Sequence, residues 1–355
     1  MFRLRCKGIK MKNLQNYLFE LCGEQLPSGF ESCAASVKNL LTPLVDECYT
    51  DNAGNVIGFR KAAIPGAKKL LLDAHLDEIG LIVTEIDDNG FIHFTNLAGF
   101  SPVSLPAASV TVKGVRALPG IVATLPPHLI SEEDAKKVLP MKKMVIDIGY
   151  PAEKVRELVK VGDPIVLRQT CADLLNNRVS GKALDNRAGV AVLLDVLNSI
   201  QKMPISVDLY VVFSAGEEFS GFGARHAAWS VNPDEAIVVD VTHGVSPNTP
   251  KDKAFALGSG AVIGVAPILC GGMTAKLMDL ADRCQIPFEK EAMSGRTGTN
   301  SDHIAASTSG VPTALISIPL RYMHSGCEVV DLNDMKACSR LIGRYIHQGG
   351  TSRHE

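Results

Sequence analysis

Five short segments of this chain carry side chains that bind divalent cations or move protons. They are His75-Leu76-Asp77-Glu78, Leu184-Asp185-Asn186-Arg187, Gly216-Glu217-Glu218, Val239-Asp240 and Met323-His324-Ser325. Two imidazoles and three carboxylates make a mixed nitrogen and oxygen ligand set, which suits zinc, cobalt or manganese better than magnesium. Two divalent ions about 4 Å apart need one shared carboxylate. Asp185 is the candidate bridge. His75 and Asp240 would complete one site, Glu218 and His324 the other. Asp77, two residues beyond His75, would accept a hydrogen bond from the free ring nitrogen and orient the ring. Adjacent side chains diverge, so Glu217 stays free of the ligand set when its neighbour Glu218 joins it. Glu217 is the candidate general base, taking a proton from an attacking water and passing it to the leaving amine. The implied chemistry is metal-assisted hydrolysis.

Each of these residues alone has an ordinary explanation. Glu217-Glu218 could be an acidic helix start, Asp185 a helix N-cap, His75 a polar residue closing a strand. Their placement together argues otherwise. Apolar runs read as strands at Lys69–Ala74, Val207–Phe213, Ala236–Val241 and Thr313–Ile318, and a candidate ligand lies at or just past the end of each. Helical spacing marks Leu14–Leu21, Glu31–Leu44, Asp185–Ile200, Phe219–Trp229, Thr274–Cys284 and Asp334–Ile346. Strands alternating with helices predict an α/β fold with a mostly parallel sheet covered on both faces. In such sheets ligands bind at the carboxyl ends of the strands.

Between Gly80 and Arg168 the rhythm changes. Short alternating segments at Leu81–Ile86, Phe91–Asn96, Ser109–Val112, Gly120–Thr124, Lys143–Asp147 and Pro164–Leu167 are separated by turn residues, with a short helix at Ser131–Val138. This predicts a β-rich insertion. The catalytic domain is then discontinuous, 1–79 and 169–355, and the inserted domain is 80–168. Asp51-Asn52-Ala53-Gly54-Asn55 reads as a hairpin turn between Glu47–Thr50 and Val56–Arg60.

The 355 residues are 46% apolar, enough for a sizeable core, and 36 basic against 38 acidic residues leave a net charge of −2. No bulk field favours nucleic acid or an anionic membrane, and no apolar run is long enough to span a bilayer. Met1–Lys10 is basic without the apolar stretch of a secretory signal; Met11 is an alternative start. The nine cysteines contain no C-x-x-C pair, which predicts reduced thiols and a cytoplasmic protein. Cys327 is singled out for its nearness to His324. His243 and His303 are secondary candidates on the substrate side, as are Gly295–Asp302 and Arg321-Tyr322.

At these residues the chain resembles the M42 metallo-aminopeptidases, the glutamyl and tetrahedral aminopeptidase type. The matching pieces are His75–Gly80, Leu184–Arg187, Glu217-Glu218, Val239–His243 and Arg321–Ser325. Pro27–Glu31 and Asp51–Asn55 also match, and the likeness runs from Leu14 to Ile346. It implies a zinc-peptidase type fold, two zinc or cobalt ions per subunit with the ligand roles given above, and removal of N-terminal residues from peptides. It also implies an inserted β-barrel-like domain used in dimerisation, and a homo-oligomer built from dimers, up to a dodecameric shell. Phe219-Ser220-Gly221 after Glu218, and Gly326-Cys327 after Ser325, depart from the family pattern near the substrate cleft. Two neighbouring readings share residues with this one: a metal-dependent deacylase or carboxypeptidase on the same scaffold, and a glycoside hydrolase of endoglucanase type. The last needs two carboxyls flanking a sugar rather than adjacent in sequence.

Overall fold

The computed structural model describes residues 12–31, 34–129 and 136–349. Met1–Lys10 and most of the expected Ser131–Val138 helix lie outside them. Strand and helix composition dictate a large sheet with helices on both faces. Along Lys68–His75, the side chains of Leu70, Leu72 and Ala74 enter one core while Leu71 enters the other. Val207–Ser214 and Glu235–His243 divide in the same way: Leu209, Val211, Ile237 and Val239 lie on one side, Val212, Ala236 and Val238 on the other. Burial on both faces is why these strands read as continuous apolar runs rather than alternating ones. Helices Leu14–Cys22, Leu184–Ile200 and Leu332–His347 cover the larger core, and Phe222–Val231 covers the smaller one.

The sheet is mixed, which corrects the expectation of a mostly parallel one. Its centre is parallel: Val207–Ser214 and Glu235–His243 both pair in parallel with Lys68–His75, and Thr313–Arg321 pairs in parallel with Glu235–His243. Its flanks are antiparallel. The hairpin Glu47–Thr50/Val56–Arg60 adds to one side, and Glu328–Asp331, Arg178–Gly181 and Ala172–Leu174 add to the other. Short connections join Glu47–Thr50 to Val56–Arg60, Ala172–Leu174 to Arg178–Gly181 and Thr313–Arg321 to Glu328–Asp331, because a few residues can join antiparallel neighbours but a parallel return needs a crossover of a dozen or more. Ala261–Val265 pairs antiparallel with Thr313–Arg321 and parallel with Phe288–Ala292. Both strands are only five residues long, and Phe288–Ala292 is too polar to stand out in the sequence. The segment Glu31–Leu44, expected as one helix, forms the shorter helix Ala35–Leu41 and a 3-10 turn at Thr42–Leu44.

Six antiparallel strands between Gly80 and Leu167 close into a barrel, in the order Gly80–Ile86, Ile92–Leu97, Val145–Asp147, Ala117–Ala123, Ser109–Lys113, Pro164–Leu167. The barrel has its own core, including Leu81, Val83, Val110, Val112, Ile146 and Ile165.

Candidate metal centre and active-site cavity

Register across the parallel strands puts the chemistry on one line. Ser214 is paired with His75, Val238 with Asp73, and Asp240 with Ser317. Two residues beyond the Val238–Asp73 pair stand Asp240 and His75, on the same face of the sheet. Asp240 lies inside its strand, which runs on to His243. Asp185 arrives from the start of the Leu184–Ile200 helix. The neighbouring Asn186 side chain takes the helix N–H of Gly189 at 3.0 Å, and the Asp185 carboxylate faces His75 and His324 instead. His324 follows the end of Thr313–Arg321 in a turn where it and Tyr322 both take left-handed backbone conformations.

The five predicted ligands converge. Asp185 Oδ1 lies 3.0 Å from His75 Nε2, and its other oxygen lies 3.4 Å from His324 Nε2. Asp240 Oδ1 is 3.8 Å from His75 Nε2, and Glu218 Oε2 is 3.2 Å from His324 Nε2. Two groups result, His75-Asp185-Asp240 and Asp185-Glu218-His324, each with ligand atoms within 4.8 Å of one another. Glu217 Oε2 stands 3.9 Å from His75 Nε2, outside both groups.

Electrostatics and donor chemistry fit divalent cations here. Burial, with repulsion among neighbouring carboxylates, pushes Glu217 up to about 9, Asp240 to about 8 and Glu218 to about 7. Asp185 is held low: burial raises it, but hydrogen bonding to His324 and His75 outweighs that. Hydrogen bonding to Asp185 and Glu218 raises His324 to about 11. Glu218 Oε1 is buried without a hydrogen-bond partner. Crowded, desolvated carboxylates with an unspent oxygen are stabilised by positive charge between them, and imidazole nitrogens complete such a shell.

Supporting residues surround the ligands: Asp77, which was expected, and Ser28, Asp73 and Glu328, which were not. The strand ends at His75, and Asp77 reaches back from the following loop, with Oδ1 3.4 Å and its backbone oxygen 3.3 Å from His75 Nδ1. The Asp77 carboxylate is itself pinned by the Ser28 hydroxyl at 2.5 Å and by the backbone N–H groups of Glu217 and Glu218, both at 3.1 Å. Glu31 accepts from the Gly29 and Gly216 N–H groups. Glu328 is buried and takes the N–H of His324 at 2.9 Å and of Asp185 at 3.2 Å, one on each oxygen. Asn300 donates to Asp73 and Ser214 beneath His75. A charged residue inside an apolar run was the available signal for Asp73 and for Glu328.

The cluster floors a cavity of about 710 Å3. His243 and His303 both line it, as do Arg296, Thr297, Gly298, Thr299 and Asp302 of the anticipated Gly295–Asp302 loop. Arg321 and Tyr322 do not: Arg321 Nε donates to the Val245 carbonyl, and Tyr322 faces solvent. Cys327 is exposed and off the cavity, beside the Ser325 hydroxyl.

The family model for M42 glutamyl aminopeptidase matches residues 54–341. The chain belongs to the M42 family. Among curated M42-like relatives, a lysyl aminopeptidase of Pyrococcus furiosus is 30% identical over 90% of this chain and 93% of its own. A solved aminopeptidase of the archaeon Desulfurococcus kamchatkensis superposes with a TM-score of 0.88 at 33% identity, covering 94% of both chains. The Pyrococcus horikoshii TET1 peptidase, which assembles into a tetrahedron or a large octahedral shell, superposes with a TM-score of 0.84 at 27% identity over 95% of this chain and 100% of its own. M42 membership makes this an aminopeptidase-type peptide hydrolase from a family of metallopeptidases. It does not favour the deacylase, carboxypeptidase or glycoside hydrolase readings. Among the described residues no helix is long and apolar enough to cross a membrane.

Proposed function

We propose that the protein removes N-terminal amino acids from peptides, using a cavity built around two cation sites that share Asp185. His75, Asp185 and Asp240 hold one divalent ion; Asp185, Glu218 and His324 hold the other, with zinc or cobalt as the metal. The observation that carries this reading is the bidentate reach of Asp185, one oxygen toward each histidine. When bound, such a pair of cations lowers the pKa of an attacking water and stabilises the charge that develops on the peptide carbonyl oxygen.

The protein's own residues do the rest. Glu217 takes one proton from the water on a carboxylate oxygen as the water's oxygen bonds to the peptide carbon. It returns that proton to the nitrogen as the C–N bond breaks, so the amine leaves neutral. Its half-buried position supports this role, since a desolvated carboxyl binds a proton readily. Asp77 fixes the His75 ring through Nδ1, while Ser28 and two backbone N–H groups hold Asp77 in turn.

The division into a catalytic domain, 1–79 and 169–355, and an inserted dimerisation domain, 80–168, belongs to the same proposal. The barrel's separate core and its exposed Ile121, Leu125 and Leu129 support it. So does the shell formed by the TET1 relative, which favours a homo-oligomer of dimers. A cytoplasmic setting agrees with the free cysteines. The deciding experiment is Glu217→Gln in metal-loaded protein. Turnover of amino-acyl p-nitroanilides should drop about 10²–10⁴-fold while the metal content stays at two per chain. Unchanged turnover removes Glu217 as the base, and full activity in metal-free protein removes the cation sites.

A further inference from the structure

The cavity is lined by two carboxylates that the hydrolytic machinery leaves unused, Glu291 and Asp302. Glu291 sits on the strand Phe288–Ala292 and lines the cavity wall. Its Oε1 accepts a hydrogen bond from the Thr242 hydroxyl at 2.8 Å. Among the described residues this is its one hydrogen-bond partner, and no basic side chain lies within ion-pair distance of it. Thr242 is two residues past Asp240 on the same strand, so both side chains share a face with their Cα atoms about 7 Å apart. Glu291 therefore lines the same cavity as the His75-Asp185-Asp240 group, beside the strand that carries Asp240, with its second oxygen left without a hydrogen-bond partner among the described residues.

The rest of the lining sharpens this. Val241, Met293 and Leu315 offer apolar wall. Asp302, the other acid of that wall, is consumed locally by the Thr297 N–H and hydroxyl and by the Gly298 N–H. His243 is the one basic side chain facing Glu291, from the exposed end of its strand. Arg296 lines the cavity from an exposed loop position and does not pair with the carboxylate. Burial raises the pKa of Glu291, and an approaching cation relieves that cost.

We propose that Glu291 is a specificity-determining residue that selects substrates with a basic N-terminal residue, lysine or arginine. The aliphatic stem packs on Val241, Met293 and Leu315 while the ammonium or guanidinium pairs with the free Glu291 oxygen. The inference rests on the aminopeptidase reading above.

The test is a kcat/KM panel of lysyl, arginyl, leucyl and glutamyl p-nitroanilides on metal-loaded wild type, Glu291→Gln and Glu291→Lys. Wild type should prefer the lysyl and arginyl substrates. In Glu291→Gln the lysyl-to-leucyl ratio should fall about 10–100-fold, as expected for a lost charge-assisted hydrogen bond. In Glu291→Lys the glutamyl substrate should overtake the lysyl one. Calorimetric binding of lysinamide against leucinamide should rank the variants in the same order, and it reads selection without turnover. A lysyl-to-leucyl ratio unmoved by Glu291→Gln overturns the proposal. So does a wild type that prefers the glutamyl substrate and loses that preference in Arg296→Ala. Cleavage of none of the four substrates by wild type would instead sink the aminopeptidase reading itself.

Discussion

The parallel centre of the sheet and the closed barrel are both β-structure, yet only the first gathers chemistry. In the sheet, Lys68–His75, Val207–Ser214, Glu235–His243 and Thr313–Arg321 all run the same way. Their carboxyl ends meet at one edge, so His75, Glu217, Glu218, Asp240 and His324 converge although up to 249 positions separate them in the chain. In the barrel every neighbouring pair is antiparallel. Each rim there mixes strand starts with strand ends, and no comparable cluster of histidines and carboxylates forms among the described residues. Direction, not strand content, concentrates functional side chains. The barrel nonetheless reaches the site at Gly99. Gly99, in the loop after Ile92–Leu97, lies so close to His324 that an added Cβ would stand 2.7 Å from the ring Nδ1.

This contrast can be broken in four places. The largest effect is expected for Asp185→Ala. Losing the shared carboxylate should drop metal content below one ion per chain and abolish measurable turnover; two retained ions, counted by mass spectrometry, would break the argument for convergence. Next comes Glu328→Gln, which touches no predicted cation site directly but loosens the backbone of Asp185 and His324. Metal affinity should weaken about 10–100-fold, measured by competition with a chromogenic chelator.

Gly99→Ala is a change in the barrel that should be felt in the sheet. Pushing His324 aside should lower occupancy of the Asp185-Glu218-His324 group with little change at His75. The exposed barrel substitution Ile121→Ser should leave metal content as it is. Equal occupancy in Gly99→Ala and wild type would show the two regions to be independent. The smallest effect on the site belongs to the barrel core. Ile146→Ala, at a fully buried position, should cost about 2–5 kcal/mol of barrel stability. Denaturant unfolding followed by a barrel-specific probe measures it, and metal binding by the folded protein should persist.

Much of this was legible in the residues themselves. The runs at Lys69–Ala74, Val207–Phe213, Ala236–Val241 and Thr313–Ile318 announce buried strands because both faces need apolar side chains. The ligands announce themselves as metal-competent side chains at or just past those ends. The Asp51–Asn55 turn and the hairpin around it follow from turn residues flanked by short strands, and the pairing of Glu47–Thr50 with Val56–Arg60 is as expected. The antiparallel flank on the other side was not legible, because Ala172–Leu174 and Arg178–Gly181 are short, polar and largely without a hydrophobic period. Glu31 reads locally as helix, but its carboxylate is drawn to the N–H of Gly216, 185 positions away.

The sequence alone determined which residue types stand at the ends of which apolar segments, because periodicity and turn chemistry are local properties. Only the tertiary structure decided how those ends align, since strand register is a relation between distant segments. It also decided that Glu328 steadies two ligands at once, that Gly99 borders His324, and that Glu291 reaches Thr242. Contacts of that kind depend on where the backbone brings side chains after folding, and no spacing along the chain encodes them.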